Sequence, residues 1–324
     1  MNFKNRFTLL MLSSLFAISA NGAPMAYSVN SDSDNLATED SLYLIDLATG
    51  IEQRQGSLVS GNDDRIDTEG LAVAPGGALW GVDDESRTLF PINPGTGSIN
   101  YLDEISLAGF LQNVGNDFGM TFGCDNSLYI TSVATQTLYR LDLDNNNSAT
   151  IVGSDGALGA NISAIAAIGN PTRLYGLGNG QFQNGNTDSP NLYSIDINTG
   201  VASLIGPLGN EAGEYNQGGL AFDSNGVLWA ITDRRIINDS IANLPSQILN
   251  VNVGTGTATF VADTSEVGFE SLAITAPISC SFQVADEVLS DSYEPIPVLS
   301  PAGRLLAVFI LMFAGMLVLR RRLS

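Results

Sequence analysis

The sequence predicts an all-β protein built from five copies of a four-stranded unit. One observation is a motif of the form Leu-Tyr-x-Ile-Asp-x-x-Thr-Gly, whose copies start 47, 49, 54 and 56 residues apart. Another is a segment rich in small residues, such as Gly219-Leu220-Ala221-Phe222, which comes before each copy after the first. The five copies start at Ser41, Thr88, Thr137, Asn191 and Gln247.

Each motif predicts two strands joined by a tight turn. In the first copy, the aromatic and β-branched residues of Leu42-Tyr43-Leu44-Ile45 favour a strand. Asp46 caps the turn, and Gly50 can adopt the positive φ that a hairpin bulge requires. The third copy has Asn145-Asn146-Asn147 in place of Thr-Gly, and Asn also tolerates the left-handed region. The strands predicted after the turns are Ile51–Leu58, Ser98–Ile105, Ser148–Gly153, Val201–Leu208 and Thr257–Thr264.

Two further strands come before each later motif, which completes a four-stranded blade. The first is rich in small residues, which suits strands that crowd a central axis, and the second carries larger residues such as Trp80 and Trp229. The motif at Leu42 lacks a small-residue strand before it, and the segment Ser271–Ile274 lacks a blade after it. We therefore predict a five-bladed β-propeller over residues 25–276, closed by pairing of N- and C-terminal strands. The alternative is a two-sheet sandwich with repeated hairpins.

Both ends of the chain carry export signals. Residues 1–23 combine Lys4 and Arg6 with an apolar stretch from Phe7 to Ala17, as expected for a signal peptide. Residues 277–295 form a predicted linker. Residues 296–324 combine an apolar run with Arg320-Arg321-Arg322, which predicts a transmembrane helix with a cytoplasmic basic tail. The propeller would then lie outside the cytoplasmic membrane, in the envelope of a Gram-negative bacterium.

Charge and cysteine content agree with an exported body. All 34 acidic residues lie between Asp32 and Glu294, a region with seven arginines and no lysine, and the whole chain has a formal net charge of −21. Such a field repels nucleic acid, so we expect no nucleic-acid partner. In an oxidising compartment Cys124 and Cys280 would form a disulfide, and two unpaired buried thiols are the alternative.

The residue types that remain for chemistry are carboxylates. The chain has no histidine, which excludes Ser-His-Asp and Cys-His catalysis. Residues just before the inner strands should surround the mouth of the central channel, and they include Glu69, Asp117 and Glu270. Their oxygens are ligands of the kind that Ca²⁺ prefers, so these three residues are a candidate calcium site. Carboxylates that only cap strand ends are the alternative.

Long loops on the same face are candidates for recognition. They span Gly178–Pro190, Arg234–Ser246 and Asn30–Asp40. Their polar and amide-rich composition suits a carbohydrate or peptide, although exposed loops without a ligand are the alternative. The candidate binding residues are Gln181, Phe182, Asn184, Arg234 and Arg235.

Three stretches resemble known families. The repeated motif resembles secreted bacterial propeller domains of uncharacterised function. The segment Glu69-Gly70-Leu71-Ala72-Val73-Ala74-Pro75-Gly76-Gly77 is similar to blade openings in calcium-dependent lactonase-type and esterase-like, phytase-related propellers. The C-terminal segment resembles exosortase sorting signals, which implies recognition by a transpeptidase of that type and transfer to the cell surface, with cleavage or simple anchoring left open. Its motif residues are Ile296, Pro297, Val298, Leu299, Ser300 and Gly303.

Two functional hypotheses follow. The first is a non-catalytic, surface-sorted or membrane-anchored propeller that binds an envelope protein or glycan through its loop-bearing face, with Ca²⁺ as its only candidate cofactor. The second is a calcium-dependent lactonase- or esterase-like hydrolase, which would use an ion at the channel mouth as a Lewis acid.

Overall fold

The computed structural model describes residues 23–31, 35–59, 66–83, 86, 88–99, 105–106, 117–143, 148–180, 190–234, 244–275 and 280. These residues form strands, turns and loops, and no helix occurs among them. The strands are β1 Met25–Val29, β2 Ser41–Asp46, β3 Glu52–Ser57, β4 Thr68–Val73, β5 Leu79–Asp83, β6 Thr88–Ile92, β7 Ile105–Ser106, β8 Phe118–Phe122, β9 Ser127–Ser132, β10 Thr137–Asp142, β11 Thr150–Ile151, β12 Ile162–Ile168, β13 Arg173–Gly178, β14 Asn191–Ile195, β15 Ala202–Pro207, β16 Gly218–Phe222, β17 Leu228–Arg234, β18 Leu244–Val251, β19 Ala258–Asp263 and β20 Ala273–Ile274.

The strands form five separate four-stranded antiparallel sheets, which confirms the predicted five-bladed propeller and excludes the two-sheet sandwich. Blade 1 has the order β20-β1-β2-β3, and blades 2 to 5 are β4–β7, β8–β11, β12–β15 and β16–β19. The innermost strands β4, β8, β12, β16 and β20 contact one another in that order, and β20 contacts β4 again. The blades therefore form a closed ring around a central channel.

Both ends of the propeller contribute to blade 1. Strand β1 pairs with β2 on one side and with β20 on the other, where Ala26 lies opposite Ile274. This pairing confirms the predicted closure, although β20 is shorter than the predicted segment Ser271–Ile274. The inner strands all begin at the same face of the ring, which we call the top face.

Apolar side chains fill the spaces between neighbouring blades. All six residues of β9 and all seven of β12 are buried, because both faces of these strands pack against other sheets. One cluster joins blades 4 and 5 through Leu177, Leu192, Leu220 and Leu249. The near-continuous apolar character of the central strands therefore reflects burial on both faces.

Glycine in the inner strands permits close contact at the axis. A Cβ atom on Gly219 of β16 would lie 2.3 Å from the backbone nitrogen of Leu272, and one on Gly119 of β8 would lie 2.9 Å from the Cα of Ala164. No side chain fits at such separations, so the small residues in these segments are a steric requirement of the ring.

The Thr-Gly turn of the repeated motif also connects blades. Gly256, in the outer turn of blade 5, has a φ of +79°, and a Cβ atom on it would lie 2.3 Å from the carbonyl oxygen of Gly206 in blade 4. A Cβ atom on Gly200 would likewise clash with the carbonyl oxygen of Val152 in blade 3, and one on Gly50 would clash with the carbonyl oxygen of Asp263 in blade 5. The glycine therefore serves both the local turn and the contact with the preceding blade.

The two ends of the chain lie largely outside the described residues. The chain divides into two compact units, Met1–Phe282 and Gln283–Ser324, and the strands among the described residues belong to the first. Within this unit Cys124 and Cys280 form a disulfide, which ties the segment after β20 to the turn after β8. The predicted signal peptide up to residue 22 and the predicted sorting segment lie outside the described residues. Within the described ranges, no helix is long and apolar enough to cross a membrane.

Replacing Gly256 by Ala should lower the free energy of unfolding by about 2–3 kcal/mol, because the new methyl group adds left-handed strain and a backbone clash. Gly254→Ala in the same turn is the control, since a Cβ there would approach only the Asn252 side chain, at 3.4 Å. Urea-induced unfolding of both variants measures the difference. Equal stability of the two variants would contradict the inter-blade role of Gly256.

Candidate functional site

Three carboxylates meet where the inner strands begin. Asp67 directly precedes β4, Glu69 lies within β4, and Glu270 lies shortly before β20. One carboxylate oxygen from each residue lies within 4.8 Å of the others. Because β4 and β20 are neighbours in the ring, the two ends of the propeller contribute jointly to this group, which we call the mouth cluster.

Two of the three carboxylates in the mouth cluster are buried, and the cluster accepts hydrogen bonds from two other segments. Glu69 is 8 % exposed and Glu270 is 2 % exposed, whereas Asp67 is half-buried. Ser31 donates its hydroxyl hydrogen to Oε1 of Glu270. Nε2 of Gln217 donates to Oε2 of Glu270 and, at 3.2 Å, to Oε2 of Glu69. Residues of blade 1, blade 2 and the segment before β16 thus meet at one point.

Burial changes the protonation of Glu270. Loss of solvent raises the pKa of this carboxyl well above its usual range, and the neighbouring charges of Glu69 and Asp233 raise it further. The hydrogen bond from Ser31 acts in the opposite direction but does not compensate. Glu270 therefore takes up a proton much more readily than an exposed glutamate.

The channel beneath the mouth cluster is narrow. Leu71, Met120, Leu220 and Leu272 contribute to its lining, and the free space there is about 30 Å³. That volume holds no more than a few water molecules. A larger ligand therefore cannot pass through this part of the channel to the carboxylates.

Further polar atoms near the top face are buried and have no hydrogen-bond partner among the described residues. Each belongs to a residue at or near the top end of an inner strand or the strand beside it. Buried polar atoms of this kind are normally satisfied by ordered water or by a bound group. The buried atoms near the top face that lack such a partner are Asn30 Nδ2, Thr131 Oγ1, Ser163 Oγ, Asn179 Oδ1, Asn216 Oδ1 and Gln217 Oε1.

The structure brings two of the three predicted metal ligands together and places the third elsewhere. Glu69 and Glu270 lie together, whereas Asp117 is not a member of the mouth cluster. Oδ2 of Asp117 instead accepts a hydrogen bond of 2.9 Å from Nδ2 of Asn179, in the neighbouring blade. The sequence reasoning did not include Asp67, which lies two residues before Glu69 and just outside β4.

Of the predicted binding residues, Arg234 lies within the described part of the chain, at the end of β17. Its Nη1 atom lies 3.8 Å from Oδ1 of Asp263. A Cβ on Gly213 would lie 2.9 Å from the guanidinium nitrogens, so this glycine makes room for the arginine. Gln181, Phe182, Asn184 and Arg235 lie outside the described residues, as do the sorting residues from Ile296 to Gly303.

The raised pKa of Glu270 predicts a distinct pH dependence of stability. With chelator present, wild-type protein should lose stability relative to Glu270→Gln as pH rises above the ordinary glutamate pKa, because the folded state holds a proton that the unfolded state releases. The slope of the difference should reach at most about 1.4 kcal/mol per pH unit. Urea unfolding from pH 4 to pH 8 measures it, with exposed Glu214→Gln as control. A constant difference between wild type and Glu270→Gln would contradict the raised pKa.

Comparisons with known proteins agree with the repeat architecture. A model of a repeat of unknown function (DUF6923) matches residues 16–167. The curated proteins contain no match. A structure from work on the de novo evolutionary emergence of a symmetrical protein is 16 % identical, covers 79 % of this chain and 99 % of its own, and has a TM-score of 0.44.

Two enzymes are among the other similar structures. Virginiamycin B lyase from Staphylococcus aureus is 16 % identical over 80 % of this chain and 77 % of its own, with a TM-score of 0.41. A gluconolactonase from Xanthomonas campestris is 13 % identical over 76 % of this chain and 78 % of its own, with a TM-score of 0.44. The five sheets and the repeat match together identify the chain as a β-propeller repeat protein.

Proposed function

We propose that this protein is a non-catalytic binding module of the cell envelope and that its mouth cluster binds Ca²⁺. The observation that carries the proposal is the convergence of the Asp67, Glu69 and Glu270 carboxylates within 4.8 Å. Ca²⁺ is a hard cation that binds six to eight oxygen ligands, and carboxylates are its usual protein ligands. An ion here would also offset the mutual repulsion of three acidic groups.

The same geometry supports a ligand that approaches from the top face. With one oxygen from each residue, the three carboxylates supply three of the six to eight oxygens that Ca²⁺ binds, so water or an oxygen-rich ligand would complete the coordination. The narrow channel excludes an approach through the ring, which leaves the top face as the route to the cluster. A glycan or an acidic protein segment has the chemistry to bind there.

The ends of the chain support an envelope location for this module. The N-terminal pattern is that of an exported protein, and the C-terminal apolar run followed by three arginines would anchor the chain or direct it to an exosortase-type transpeptidase. The acidic body has the charge expected of a domain that does not bind anionic lipid directly.

A hydrolase is the second candidate, and the environment of Glu270 is the observation that favours it. A carboxyl with a raised pKa beside the carboxylate of Glu69 is an arrangement suited to general acid–base chemistry. Assays on a panel of lactones and esters with Ca²⁺ present test this candidate. Turnover by wild type that the Glu69→Gln, Glu270→Gln double variant loses would support it, and equal rates for both proteins would exclude it.

Calcium should raise the melting temperature of the purified full-length protein. At a free Ca²⁺ concentration 100 times the dissociation constant, the stabilisation is about 2.7 kcal/mol, which corresponds to a shift of about 5 °C or more. Differential scanning fluorimetry with Ca²⁺ and with chelator measures the shift. Glu69→Gln should abolish most of it, and Glu214→Gln should retain it. An unchanged wild-type melting temperature would contradict the proposed ion site.

A further inference from the structure

Gln217 is the side chain that links the two buried carboxylates of the mouth cluster. It directly precedes β16, is 4 % exposed, and donates from Nε2 to both Glu69 and Glu270. Its other polar atom, Oε1, has no hydrogen-bond partner among the described residues. The buried amide of Gln217 therefore contacts the acidic cluster through its NH₂ group, and its oxygen makes no hydrogen bond with the described residues.

The donor side of this amide and a cation would compete for the same carboxylates. The ion would bind the carboxylates of Glu69 and Glu270, which are the groups that accept from Nε2. The amide hydrogens also carry a partial positive charge that repels a cation. The oxygen and nitrogen of a glutamine amide have nearly the same size, and the terminal torsion has two roughly equivalent orientations. A half-turn of the amide therefore replaces the donor with an acceptor without a change in packing volume.

We infer that Gln217 is a fourth protein ligand of the cation, which it binds through Oε1 after a half-turn of its amide. This inference rests on the proposed function. In the ion-free protein, Nε2 bridges Glu69 and Glu270 and reduces their repulsion. With the ion bound, the half-turn directs Oε1 to the ion and moves the amide hydrogens away from it.

A fourth protein oxygen also favours Ca²⁺ over Mg²⁺. Ca²⁺ accepts many oxygen ligands in flexible geometry, whereas Mg²⁺ requires near-octahedral geometry and retains several of its waters. Removal of the Gln217 oxygen should therefore weaken Ca²⁺ binding more than Mg²⁺ binding. A residue with only a structural role would not change this selectivity.

Isothermal titration calorimetry of the full-length protein with CaCl₂ and, separately, MgCl₂ tests the inference. Gln217→Met keeps a similar side-chain volume but removes both the donor and the oxygen. Its Ca²⁺ affinity should fall about tenfold or more, with a smaller loss for Mg²⁺. Gln217→Glu restores an oxygen without the donor, so its Ca²⁺ affinity should equal or exceed that of wild type. Its melting temperature in chelator should be lower, because a fourth carboxylate adds repulsion.

The possible outcomes separate this inference from the proposed function. If wild type binds no Ca²⁺, the proposed ion site and the role of Gln217 both fail. If wild type binds Ca²⁺ and Gln217→Met binds it as tightly or more tightly, Gln217 only bridges the carboxylates and the inference alone fails. If Gln217→Met does not fold, Gln217→Glu decides the question, because weaker Ca²⁺ binding by that variant than by wild type overturns the inference.

Discussion

The pairing of β20 with β1 is the contact on which the channel mouth depends. Strand β20 has only two residues, so the pairing also depends on side chains near it. The Ser28 hydroxyl donates to the carbonyl oxygen of Ser271, and the backbone nitrogen of Val29 donates to Oγ of Ser271 at 3.1 Å, across 242 residues of sequence. The closure removes the free edges of an open ring and holds Glu270 beside Glu69.

The closed ring brings three acidic side chains together at the channel mouth, in a region of the sequence with few basic side chains. The region between Asp32 and Glu294 contains no lysine or histidine, so arginine is its only permanently basic side chain. Burial of Glu270 beside Glu69 costs free energy if both carboxylates are ionised, and the raised pKa of Glu270 indicates that a proton offsets part of this cost. A cation would neutralise the same group more completely, because it interacts with all three carboxylates at once. The acidic mouth is thus a consequence of the topology that brings these segments together.

The sequence predicted the blades well because their signals are local. The turn at Gly50 and the small residues around Gly219 each follow from backbone geometry that repeats in every copy. The site was predicted only in part, because its remaining members depend on contacts between distant segments. Counting one residue per inner strand found Glu69 and Glu270 but omitted Asp67. The position one residue earlier supplied Asp117, whose carboxylate accepts a hydrogen bond from Asn179, 62 residues away. No local pattern shows that Gln217 bridges two carboxylates.

The rigidity of the scaffold bears on how such a site would select an ion. Glu69 lies on an innermost strand and Glu270 close to one, and these strands approach too closely at the axis to permit side chains at Gly119 and Gly219. The separation of the two backbones is therefore set by packing around the whole ring, and movement of one loop would not change it. A site held by rigid elements discriminates among ions by size and ligand number. In the proposed calcium site, the half-buried Asp67 and the amide of Gln217 would provide the adjustment that a fixed pair of glutamates lacks.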